Sequence, residues 1–290
     1  MRQLLIALLI VLAPTAIVLG QTPGRSRASP GEVCGEVVAL RGAEGAELRF
    51  ALSRPGGAAP TSPAATLLLL PGGSGHADLD ARGCPQALRG NSLVRSIPHF
   101  NALGFTTALV DAPSTHHGED GLGGYRASAA HARDLALIVA DLRARLGGAV
   151  WVVGTSRGTI SAVNLGARGQ GAGAPDGVVL TSILTVGDPR ARKPWVAQSV
   201  FDHPLESIAT PVLLIGHVAD DCIRSPASQM ESVARRLGAA RRQIVVVAGG
   251  PGGRGLTSIE ACEGRSPHGF IEQEREVAEG IGRFVRGGRY

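Results

Sequence analysis

Aromatic residues make up only 3% of this 290-residue chain, so its core has to be built from Ala, Val, Leu and Ile within a hydrophobic content of 44%. Lysine is nearly absent. Lys193 stands alone, and the formal charge of +5 rests on scattered arginines, densest at Arg235-Arg236 and Arg241-Arg242. A nucleic-acid footprint needs a clustered basic stripe with aromatic platforms. Neither is present, and solvated helix faces account for these arginines. No Cys-x-x-Cys spacing occurs, which argues against a zinc site. The glycine-rich loop at 71–75 lacks the Gly-Lys-Ser/Thr ending of a phosphate-binding loop. Two polar groups, His76/Asp78/Asp80 and Asp111/His116/His117/Glu119/Asp120, have no recognised metal-ligand spacing on a rigid element. No metal and no cofactor is therefore expected. Internal repeats are absent too.

The length suits one domain with an ample core. Arg2, the apolar run at 4–12 and the small residues at 16–20 read as a secretory signal peptide over residues 1–20. Pro14 interrupts the run, which is short for a full membrane span; an uncleaved anchor is the alternative. A Pro/Gly/Ser/Arg-rich leader follows at 21–32, and a single domain is expected over 33–290. All four cysteines, Cys34, Cys84, Cys222 and Cys262, fall in that domain. An even number in an exported chain points to disulfides, with three possible pairings.

Past the leader, strand-like and helix-like segments alternate. Strands are predicted near 35–40, 47–53, 66–70, 106–111, 149–153, 177–181, 212–216 and 243–248. The middle and late runs are continuously apolar, as in strands covered on both faces. The first two are more polar and read as an edge hairpin. Helices are predicted over 88–103, 125–146, 157–167, 226–237 and 270–285; in the second, Leu135, Ile138, Val139 and Leu142 share one side. Such alternation predicts a mostly parallel sheet with helices on both faces.

Between the fifth strand and the third helix lies Gly154-Thr155-Ser156-Arg157-Gly158. Gly-x-Ser-x-Gly at a strand-to-helix turn is a nucleophile elbow, which lifts a serine hydroxyl above the sheet. Asp220 and Asp221 follow a later apolar run, and His268 follows the last one. The order Ser, Asp, His is that of α/β-hydrolases.

On these residues the chain resembles the α/β-hydrolase superfamily over nearly all of its length after the leader. It is similar to exported bacterial serine hydrolases and esterases of that group. The matching segments are Leu70-Pro71-Gly72-Gly73-Ser74-Gly75, Asp111-Ala112-Pro113-Ser114, the elbow, His217-Val218-Ala219-Asp220-Asp221-Cys222 and Ser266-Pro267-His268-Gly269-Phe270. The resemblance implies an α/β-hydrolase fold with an eight-stranded, mostly parallel sheet. The segment at 183–209 is short, so no large lid is expected.

The same resemblance implies roles. Ser156 would be the nucleophile, His268 its base, and Asp220, favoured over Asp221, the acid. The N–H of Arg157 and that of Gly73, with Ser74 as runner-up, would form the oxyanion hole. Ser74 and Tyr125, on loops leaving the C-terminal ends of strands, would bind substrate. The fold sets the loops after Asp220 and before His268 side by side, which favours Cys222–Cys262 and leaves Cys34–Cys84. The Arg157 side chain is open between meeting an acidic substrate and pairing with Asp111 or Asp188. The expected activity is hydrolysis of a small carboxylic ester through an acyl-enzyme, in the periplasm or outside the cell. Amide or peptide hydrolysis uses the same triad, and a binding protein on the same scaffold is the non-catalytic alternative.

Overall fold

The computed structural model describes residues 34–42, 44–56 and 65–290; the expected signal peptide and leader lie outside them. Eight strands form one sheet: β1 (Glu36–Arg41), β2 (Glu47–Ser53), β3 (Thr66–Leu70), β4 (Thr106–Val110), β5 (Val150–Thr155), β6 (Gly177–Thr181), β7 (Val212–His217) and β8 (Arg242–Val247), in the order β1-β2-β4-β3-β5-β6-β7-β8. The hairpin β1-β2 is antiparallel and β2 runs antiparallel to β4. Every other pairing is parallel.

Side-chain alternation explains why the central strands are apolar throughout. In β3, Leu68 and Leu70 enter the core on one face and Leu67 and Leu69 the core on the other. In β7, Leu214 and Leu213 part in the same way. Helices α2 (Ala129–Leu146), α3 (Gly158–Arg168) and α4 (Met230–Arg236) cover the first face, and α1 (Ser92–Ala102) and α5 (Glu274–Val285) the second. The scarce aromatics gather mostly on the second face, where Trp151 meets Phe284 edge-on at 5.9 Å.

The helix starts depart from expectation, each for a local reason. Helix α1 begins at Ser92 because the Asn91 side chain accepts from the Leu93 N–H as an N-cap. Helix α2 begins at Ala129, capped by Ser128, and Tyr125 sits before it in a 3-10 turn, Gly123–Ala127. Helix α4 is preceded by a 3-10 turn, Ala227–Gln229, and α5 waits until Glu274 because Phe270 and Glu272 are left-handed. Between β6 and β7 the described chain forms only 3-10 turns, so no large lid stands over the sheet. Among the described residues no helix is long and apolar enough to cross a membrane. Two disulfides are present, Cys34–Cys84 and Cys222–Cys262.

Candidate active site

The parallel register aligns Leu70 with Gly154 and Thr155 with Thr181, so the loops after β3, β5 and β6 leave the sheet together. At the end of β5 the chain turns through Ser156, whose φ of 51° is left-handed, and the Ser156 N–H donates to the Thr181 carbonyl at 3.0 Å. The glycines flanking this turn are demanded by space. A Cβ on Gly158 would lie 2.0 Å from the Leu70 carbonyl oxygen, and one on Gly154 2.5 Å from that of Gly158. A left-handed serine costs on the order of 1–3 kcal/mol, which the surrounding packing has to sustain.

His268 arrives from the far end of the sequence, in the 3-10 turn Pro267–Gly269. Its backbone is pinned twice: Ser182 Oγ donates to its carbonyl at 2.6 Å, and its N–H donates to Ser266 Oγ at 3.2 Å. The imidazole Nδ1 lies 2.9 Å from Asp220 Oδ2, with both side chains at most 3% exposed. Ser225 Oγ donates to the same oxygen at 3.1 Å and lies 3.0 Å from Nδ1. The Cys222 N–H donates to Asp220 Oδ1 at 2.9 Å. A carboxylate facing Nδ1 places the imidazole proton there and the lone pair on Nε2. Nε2 is buried and has no hydrogen-bond partner among the described residues, Ser156 included. His268 and Ser156 line one cavity of about 230 Å3, together with Gly72, Gly73, Leu88 and Cys262.

Asp221 points elsewhere: its carboxylate accepts from the Gly255 N–H at 2.8 Å. The carboxylate on the histidine is therefore that of Asp220. Asp220, Cys222 and His268 are also close enough to share a metal ion, but the Cys222 sulfur is bonded to Cys262. With no thiolate available, this donor set does not fit a metal.

No protein-family model matches the sequence, and no curated protein sequence matches it either. Solved structures do. The chain is similar to an α/β serine hydrolase homologue from Coxiella burnetii (17% identity, TM-score 0.52), covering 86% of this chain and 97% of that one. A thermophilic esterase from the Planctomycetes species Thermogutta terrifontis superposes with a TM-score of 0.54 at 16% identity, over 91% and 98% of the two chains. An α/β serine hydrolase without lid from Xanthomonas campestris gives 0.52 at 16% identity, over 84% and 94%. The chain has the α/β-hydrolase fold.

Within the α/β-hydrolase fold, the loop after β3 and the residue after the nucleophile are the places for oxyanion donors. Gly73 lines the cavity, and among the described residues the N–H groups of Gly73 and Arg157 are not engaged elsewhere. Gly72 lies so close to the elbow that a Cβ there would stand 2.9 Å from Ser156 Cβ. The two residues expected to bind substrate are engaged within the protein. Ser74 does not line the cavity; its Oγ accepts from the His76 N–H at 3.2 Å and its carbonyl from the Leu122 N–H at 2.8 Å. Tyr125 is drawn away by Asp134, to which its hydroxyl donates at 2.7 Å, while its ring stacks on His116 at 4.0 Å. Burial and the Asp134 carboxylate raise the Tyr125 phenol well above its ordinary range. Neither carboxylate considered for Arg157 holds it. Asp111 accepts from His76 Nδ1 and from the N–H groups of Ala77, Leu79 and Ala112. Asp188 accepts from the Arg190 N–H. The Arg157 guanidinium instead lies over the Trp195 ring, 3.8 Å from its centroid.

Two arginines that sequence reasoning passed over hold the cavity walls. Arg126 is fully buried; it donates to Ser161 Oγ at 2.9 Å and to the carbonyls of Pro71 at 3.0 Å and Gly73 at 3.5 Å. Burial, reinforced by Arg157, lowers it to about 9. Arg95 pairs with Glu274 at 2.6 Å and donates to the carbonyls of Gly264 at 2.8 Å, Gly269 at 2.7 Å and Gly90. Each ties backbone segments that are far apart in sequence. An arginine that serves carbonyls has no local spacing by which to find it.

Proposed function

We propose that this protein is a serine hydrolase that cleaves a carboxylic ester through Ser156, His268 and Asp220. The observation that carries the reading is the buried Asp220–His268 pair, set beside a cavity that His268 and the elbow serine both line. Ser156 Oγ attacks the ester carbonyl as His268 Nε2 takes its proton. The N–H groups of Arg157 and Gly73 receive the developing oxyanion. Collapse expels the alcohol, which takes the proton from His268 and leaves an acyl-serine. His268 then deprotonates a water that attacks the acyl group, and returns that proton to Ser156 Oγ as the acid is released. Asp220 keeps the Nδ1 proton in place and stabilises the imidazolium.

The solved structures named as esterases and serine hydrolases support ester chemistry on this fold. The two disulfides support an oxidising compartment, outside the cytoplasm. The test uses the disulfide-bonded protein, its Ser156→Ala variant, a series of 4-nitrophenyl esters and a fluorophosphonate label. Turnover and labelling are both expected in the wild type and lost in the variant, by about four orders of magnitude or more in kcat. Labelling without turnover of any ester would turn the reading toward amides. A folded sample with neither signal would overturn it.

A further inference from the structure

Four arginines, Arg95, Arg126, Arg157 and Arg224, differ in what they serve; none lines the cavity itself, and Arg157 directly follows Ser156, which does. Arg126 and Arg95 are spent on backbone carbonyls, as described above. Arg224 donates to the carbonyls of Val186 and Val196. Arg157 alone among these four has no ion pair and donates no hydrogen bond among the described residues; only the Trp195 face supports it. The carboxylate whose field reaches it, Asp120, is held by Lys193, which also pairs with Glu119 at 3.1 Å. Burial and the neighbouring Arg224 lower Arg157 to about 10, which leaves it a cation at neutral pH.

A half-buried guanidinium without an acceptor has lost water and gained little in return. The position is informative because Arg157 directly follows the nucleophile. Its backbone faces the reaction, and its side chain is held over an aromatic ring, which limits its freedom before any ligand arrives. A guanidinium offers paired N–H donors matched to the two oxygens of a carboxylate. None of its nitrogens is buried without a partner, so its donors remain open to solvent and to a ligand.

We propose that Arg157, braced by Trp195, is a subsite for a carboxylate carried by the substrate, so that the protein prefers esters with an acidic group near the scissile bond. This rests on the ester-hydrolase reading above. Arg157 acts here as a specificity residue through its side chain, apart from the oxyanion role of its N–H.

The experiment measures kcat/KM for matched esters. The 4-nitrophenyl monoester of glutarate is set against 4-nitrophenyl pentanoate for a charge on the acyl side, and 3-acetoxybenzoate against phenyl acetate for a charge on the leaving group. The ratio within each pair cancels any loss of oxyanion stabilisation. In the wild type at least one charged ester is expected to be preferred by about tenfold or more, the scale of a charge-assisted contact. Arg157→Gln should erase that preference and Arg157→Lys should keep part of it. Trp195→Leu, which leaves the elbow untouched, should lower it as well, and added salt should weaken it in the wild type. Ser156-dependent hydrolysis with ratios equal in the wild type and in both Arg157→Gln and Trp195→Leu overturns the subsite alone. Absence of Ser156-dependent turnover and labelling overturns the ester reading and the subsite together.

Discussion

Asp220 is held from three sides, by the Cys222 N–H, by Ser225 Oγ and by His268 Nδ1. The hydroxyl of Ser225 touches both partners of the pair, so it sets the angle at which the imidazole presents Nε2. It lies five residues after Asp220, a spacing that carries no motif, and only the folded loop reveals it. The adjacent carboxylates provide a sharp contrast. Asp220→Asn is expected to lower kcat by about three to four orders of magnitude, because an amide favours the wrong tautomer. Asp221→Asn, whose amide oxygen still accepts from the Gly255 N–H, should change kcat by less than about threefold. Ser225→Ala removes a hydrogen bond donated to the Asp220 carboxylate and should cost roughly ten- to a hundredfold in kcat with KM nearly unchanged. Steady-state kinetics on the three variants decide this; equal losses at Asp220 and Asp221 would refute the assignment of the acid.

At the scale of elements, the Cys222–Cys262 bridge joins the loop after β7 to the loop that delivers His268. Backbone pairing reinforces it: Ile223 N–H donates to the Ser258 carbonyl at 3.1 Å and Ser258 N–H to that of Asp221 at 3.0 Å. Closing a loop of 40 residues stabilises by about 4 kcal/mol in the chain-entropy account, and the backbone pairing means that its loss falls first on the two loops. The double variant Cys222→Ser/Cys262→Ser should therefore lose activity at a lower temperature than it loses global structure. Thermal inactivation measured beside circular dichroism tests this; coincident curves and unchanged activity at low temperature would sink it. The elements themselves were largely readable in the sequence. Period-2 burial in β3 and β7 leaves continuous apolar runs, and Gly154 and Gly158 mark the elbow because nothing larger fits. The misreadings fall where local chemistry competes with the helical pattern. Asn91 and Ser128 each start a helix several residues late by capping it. Tyr125 fits the apolar helical pattern, yet its hydroxyl answers to Asp134. Arg95 and Arg126 were illegible because their partners are carbonyls brought near by the sheet order alone.

The whole molecule carries its response to acid in histidines that it buries uncharged. His131 lies between α2 and α3, with Nε2 at 2.9 Å from Ser161 Oγ, and Arg126 donates to that same hydroxyl. Burial first, then the Arg126 cation and His116, lower His131 from 6.5 to about 3. His203 and His116 shift in the same direction, chiefly through burial. A histidine with a depressed folded value binds its proton more readily in the unfolded chain. Its contribution is therefore complete above pH 6.5 and is lost as the pH falls towards about 3. Asp80 and Asp120, held low by hydrogen bonds, act only near and below their ordinary value of 3.8, so the window between 6.5 and about 4.5 belongs to the histidines. Within it His131 should contribute a slope of roughly 1.4 kcal/mol per pH unit, with smaller slopes from the less buried pair. Urea unfolding at pH 7.5, 6.5, 5.5 and 4.5 should show wild-type stability falling through this window. In His131→Gln, whose amide reaches Ser161 but cannot take up the proton, the slope should drop by about that one proton's worth, whatever the variant's stability at pH 7.5. Parallel curves for the two proteins would mean that His131 does not carry the acid response and that the Arg126–Ser161–His131 cluster tolerates a second charge.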